Sequence, residues 1–82
     1  MKIQQLVSIV ATTTQKGMDV FRLSYKNEDG HVCKRDIEDY VPYTSSHLAR
    51  DILFGLEGGA DFRTPVTYAI FALRQGDKEV VF

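Results

Sequence analysis

The chain has one cysteine, no tryptophan, two prolines and almost no net charge, with ten Lys and Arg against eleven Asp and Glu in 82 residues. A lone Cys33 rules out an internal disulfide and a CxxC metal pair. A small secreted domain would need such staples, so the sequence favours a reduced, cytoplasmic compartment. A net charge of −1 gives no general pull toward nucleic acid or an anionic membrane, both of which need clustered positive charge. Long hydrophobic runs are missing as well. The opening MKIQQLVSIVA is interrupted by Gln4, Gln5 and Ser8, and its β-branched residues suit a strand better than a signal peptide. Nothing approaches the roughly 20 apolar residues of a membrane helix.

What is present is enough for a folded core. Hydrophobic residues make up 44% of the chain, nine of them Phe or Tyr, which argues against disorder. The length fits one domain, residues 1–82. Its organising stretch is Ser45–Gly59. Leu48, Ala49, Ile52, Leu53 and Leu56 fall on one face of a 3.6-residue period. Thr44, Ser45 or Ser46 can cap its start, and Gly58 and Gly59 are expected to end it. So short a helix must draw its stability from burying that stripe, most simply on a sheet.

Strands are expected on both sides. Ile3–Thr14 carries apolar residues on both faces, Ile3, Val7, Ile9 and Ala11 against Leu6 and Val10, as a central strand does. Gln15-Lys16-Gly17 turns into Asp19–Lys26, which alternates with Phe21 and Leu23 inward. Asn27-Glu28-Asp29-Gly30 is the strongest turn signal. His31–Ile37 should return as a charged edge strand. Beyond the helix, Gly58–Thr64 reads as a loop. Val66–Arg74 fits two patterns: Val66, Ala69, Ile70 and Leu73 make a helical face behind Thr64-Pro65, whereas Val, Thr, Tyr, Ile and Phe favour a strand. The β-rich composition is taken to decide for strand, followed by a turn at Gln75–Lys78 and a strand over Glu79–Phe82. The fold class expected is α+β: an antiparallel sheet of about five strands in the order β-β-β-α-β-β, with one helix on one face.

Candidate chemistry is sparse. His31 and Cys33 share a strand face and could join His47 around a metal, or Cys33 could be a nucleophile with a histidine base. Neither has the spacing those sites use, so no metal ligand, cofactor or catalytic residue is assigned. Asp36, Glu38 and Asp39 cluster beside Lys34 and Arg35 and read as a self-neutralised edge. Gly55, Gly58 and Gly59 follow a helix and so terminate it; a phosphate loop would precede one. Tyr25, Tyr40, Tyr43 and Tyr68 with Arg22, Arg35, Arg50, Arg63 and Arg74 could stack on and clamp single-stranded nucleic acid, but the same residue types are enriched at protein interfaces. Phe54 falls off the apolar stripe of the helix and adds to the interface case.

The start MKIQQL, the Asp19–Gly30 strand and turn, and the run RDIED followed by a helix ending LFGLEGG are similar to small phage anti-CRISPR proteins. In one such family an antiparallel sheet precedes a helix that ends in an aromatic-Gly-Leu-x-Gly run. The resemblance covers about the first 60 residues. That family continues into a second helix, where a hairpin is expected here, and no functional residue carries over. The resemblance implies a small non-enzymatic protein that blocks a host defence complex by binding it.

The expected function is therefore an interaction module or inhibitor whose partner is a host protein or complex. Phe54, Tyr40, Tyr43, Arg50 and Phe82 are its candidate interface residues. Glu79–Phe82, as an edge strand with unpaired amides and carbonyls, could form a homodimer or capture a partner's strand. The alternatives are nucleic-acid binding by the sheet face, and a small enzyme subunit or metal protein.

Overall fold

Turns at Gln15–Met18 and Asn27–Gly30 fold the first half of the chain into a three-stranded antiparallel meander. The computed structural model describes residues 2–82. Strand β1 is Ile3–Thr13, β2 is Asp19–Asn27 and β3 is Val32–Glu38. Asn27 fixes the second turn: its side-chain oxygen accepts the N–H groups of Asp29 and His31 at 3.0 and 3.1 Å. Helix α1 is Ser45–Ile52, a 3₁₀ turn covers Gly59–Phe62, helix α2 is Arg63–Arg74, and β4 is Glu79–Val81. β4 pairs antiparallel with β1, so the sheet order is β3-β2-β1-β4. β1 lies inside the sheet, and β3 and β4 are its edges. Both helices cover one face.

The α+β class and the antiparallel sheet stand, but the sheet has four strands and there are two helices. The correction lies at Val66–Arg74, which is α2. Val66, Ala69, Ile70 and Leu73 are all buried, which only the helical period achieves. Strand alternation would put Ala69 and Leu73 opposite Val66 and Ile70. Burying Val66, Ile70 and Leu73 gains about 1.5–3 kcal/mol each, whereas the whole β-propensity scale spans only about 1 kcal/mol. Pro65 sits in the first helical turn, where its missing N–H has no intrahelical acceptor to lose.

β1 departs from simple alternation. Its pairing with β2 slips between Ile3 and Gln5 and again between Leu6 and Ser8, leaving Gln4 and Val7 as extra residues. Each bulge flips the strand once. Ile3, Leu6 and Ile9, three apart, therefore share the helix-covered face, and Leu6 is not opposite Ile3 as expected. They meet Phe21, Leu23 and Tyr25 of β2 together with Leu48, Ala49, Ile52 and Leu53 around α1.

α1 also stops earlier than expected. Thr44 is its N-cap, accepting the His47 N–H at 3.0 Å. Its end is set by Gly55, whose φ of +79° turns the chain away. Gly59 has another role. A β-carbon there would come within 2.8 Å of the Leu53 carbonyl oxygen, so only glycine lets the 3₁₀ turn close against α1. Leu56 lies beyond the helix and is half-buried against the core.

Candidate docking surface

α1 turns its apolar stripe inward and so presents His47, Arg50 and Asp51 outward, at spacing i, i+3, i+4, and Phe54 follows in the turn just past its end. The segment leading into the helix extends this line. The Tyr40 and Tyr43 ring centroids are 5.6 Å apart, and Tyr43 lies 4.3 Å from the His47 ring. His47 Nε2 is 3.4 Å from Asp51 and 3.3 Å from an Arg50 nitrogen. Phe54 closes the line with 77% of its surface exposed. Tyr40, Tyr43, His47, Arg50 and Phe54 thus form one ribbon of aromatic and charged groups along α1.

Two arginines hold the ribbon's backbone. On β3, Arg35 reaches the carbonyl oxygens of Ile52 and Phe54 and so ties the end of α1 to the sheet. At the end of α2, Arg74 donates two hydrogen bonds to Asp39 Oδ1, at 2.7 and 3.0 Å, and others to the Tyr40 and Tyr43 carbonyls. This pair is largely shielded from water. The Tyr40 hydroxyl donates to the Glu38 carboxylate, and that hydrogen bond, reinforced by the carboxylate's charge, holds the phenol above its ordinary pKa. The two tyrosines are thus fixed from behind while their rings stay exposed.

The acidic run on β3 is divided among separate partners. Asp36 pairs with Arg22, Glu38 accepts from Tyr40, and Asp39 is held by Arg74. Arg35, expected to neutralise the run, binds helix carbonyls instead. The Arg22 hydrogen bond keeps the Asp36 carboxyl below the usual carboxylate range. Among the described residues no group of three His, Cys, Asp or Glu side chains is placed to hold a metal. Cys33 accepts from the Asn27 side-chain amide at 3.6 Å, away from His47 on α1.

Of the candidate interface residues, Tyr40, Tyr43, Arg50 and Phe54 lie on this ribbon. Phe82 does not. It follows β4 at the opposite edge of the sheet, and its N–H bonds the Val7 carbonyl at 3.1 Å. The arginine–tyrosine set proposed for nucleic acid is dispersed. Tyr25 is buried under the helices with 7% exposed, and burial raises its pKa. Arg35 and Arg74 are bound to carbonyls, and Arg22 pairs with Asp36. Cross-strand register places Ser8, Val10, Arg22, Ser24, Lys34, Asp36 and Glu38 on the open face of the sheet, where Arg22 is paired with Asp36 and Glu38 accepts from Tyr40.

His47 and Asp51 were not singled out for this surface. They are legible on the same helical projection that exposes Phe54. No helix among the described residues is long and apolar enough to cross a membrane. No family model, curated protein or solved structure matches the chain.

Proposed function

We propose that the protein is a non-enzymatic interaction module that inhibits or occupies a protein partner through the α1 ribbon. The observation that carries this reading is the ribbon itself: exposed Tyr40, Tyr43 and Phe54 with Arg50 and His47 on a backbone pinned by Arg35 and Arg74. Rigid aromatics and arginine are the residue types that dominate binding energy at protein interfaces, because they bury large areas at low entropic cost. The near-zero net charge, and the pairing of Arg22 with Asp36 on the open sheet face, support a protein partner over a nucleic acid. A block on a host defence complex is the form of this activity that the resemblance to small phage anti-CRISPR proteins implies.

The test is capture from an extract of the native host on immobilised protein. A defined host protein should be retained by the wild type and lost by Phe54→Ala or Tyr43→Ala, each of which should melt as the wild type does. Truncating a central anchor should weaken binding by about 30-fold or more. Equal retention by both variants, or recovery only of nucleic acid released by moderate salt, refutes the reading.

A further inference from the structure

Two neighbouring hollows share one side chain, Arg63, the first residue of α2. One, of about 250 Å³, lies between the end of α1 and the 3₁₀ turn; Leu53, Phe54, Leu56 and Ala60 give it apolar walls, and Arg50 and Arg63 stand at it. The other, of about 350 Å³, is lined by Ser46, Thr64, Thr67 and Tyr68, four hydroxyl-bearing side chains, together with Arg63. No carboxylate lines either hollow. The remaining large hollows differ: one includes Asp19, Asp39 and Asp77, and another Glu28 and Asp61.

Arg63 donates to the Ser46 hydroxyl at 2.9 Å and forms no ion pair with any described residue. Arg35 and Arg74 are occupied by backbone carbonyls, Arg22 by Asp36, and Arg50 lies 3.6 Å from Asp51. Arg63 is thus the guanidinium whose fork remains open to a carboxylate, between an apolar hollow and a hydroxyl-lined one. From this geometry we infer that the groove takes an acidic peptide segment. A Phe- or Leu-sized side chain fills the hollow beside Phe54, and an adjacent carboxylate bridges to Arg63. The inference rests on the docking reading above and adds the chemistry of the occupant. A nucleic-acid backbone would need a row of cations, and only Arg50, shared with Asp51, accompanies Arg63 here.

The probe is the peptide acetyl-Phe-Glu-Asp-amide, titrated into isotopically labelled full-length protein and followed by amide NMR shifts. Saturable shifts are expected at Gly55, Ala60 and Thr64. Acetyl-Phe-Gln-Asn-amide should bind about three- to fivefold more weakly, the effect of one exposed ion pair. Arg63→Gln, whose spectrum also reports that the fold is intact, should erase the difference between the two peptides, and Ser46→Ala should preserve it. Equal binding of both peptides to the wild type overturns the inference, as does absence of shifts at these amides. So does a single-stranded oligonucleotide that moves the same amides at lower concentration. If a host partner is lost with Tyr43→Ala while the peptide leaves these amides unmoved, the docking reading stands and the acidic-peptide chemistry falls. If the peptide binds and no partner depends on Tyr43 or Phe54, the reverse holds.

Discussion

α1 and α2 pack side by side on the same sheet, yet they are built from opposite materials. α1 has eight residues, a Thr44 cap, an apolar stripe at helical spacing and a tied C-terminus. α2 has twelve residues, no side-chain cap, and Val, Thr, Tyr, Ile and Phe in positions where good helix formers would be expected. Local preference and tertiary packing agree in α1 and disagree in α2. The disagreement is resolved by burial, since Val66, Ala69, Ile70 and Leu73 have nowhere else to go. The outward faces differ too. That of α1 carries His47, Arg50 and Asp51, within ion-pairing reach of one another, with Phe54 just past its end. That of α2 carries Tyr68 and Phe71, which the ring contacts leave unstacked.

The largest effects should come from the cores of both helices. Ile52→Ala in α1 and Ile70→Ala in α2 should each lower unfolding free energy by about 2–5 kcal/mol, measured by urea denaturation. If only the α1 variant is destabilised, α2 is a passive cover and the contrast drawn here fails. Leu56→Ala, half-buried past the helix, should cost less than either. Next comes the clamp that joins the end of α2 to the entry of α1. Arg74→Met leaves Asp39 and two carbonyls without their donor and should cost about 1–3 kcal/mol, with Tyr43 losing its fixed position by NMR. Tyr68→Ala tests the outer face of α2. It trades an exposed aromatic for a better helix former and should change stability by no more than about 0.5 kcal/mol in either direction; a large loss would mean that this face is covered.

The smallest effect is electrostatic. Asp36 has a carboxyl pKa held below its unfolded value of about 3.8 by Arg22, so the pair's contribution is complete above that value and fades as pH falls through the lower native pKa. Both side chains are exposed, so solvent screens the pair. Asp36→Asn should give a barely resolved decrease in melting temperature at neutral pH, and one that shrinks as the pH is lowered below 3.8. A difference that persists in acid would assign the effect to packing.

β2 was legible because Phe21, Leu23 and Tyr25 alternate strictly and Asp29-Gly30 sets the turn. α1 was legible because Leu48, Ala49 and Ile52 repeat at helical spacing, although the stripe was read on past its end to Leu56. The inward set of β1 was not, since bulges at Gln4 and Val7 arise from pairing with β2 and leave no local mark. α2 was not, because its residues prefer the structure it does not adopt. The ribbon was largely readable: Tyr40, Tyr43, Arg50 and Phe54 follow from the projection of α1 and the segment before it. His47 was weighed only as a metal ligand or a base for Cys33 and so was missed there. Arg35 and Arg63 owe their positions to contacts between elements distant in sequence, which no spacing rule reports.

The pairing of β1 with β4 joins Ser8 to Val81. On the ribosome, β1 is therefore synthesised long before its second neighbour. At about 5–20 residues per second the meander waits several seconds with that flank of β1 exposed. Such a flank is an invitation to intermolecular pairing with neighbouring nascent chains. The irregularities at Gln4 and Val7, which lie in the pairing with β2, bend and twist β1, so a foreign strand meets no long, flat template along it. In this sense the bulges act on the nascent chain as well as on the finished sheet: the same bends that set the inward face of β1 make its waiting flank a poor template.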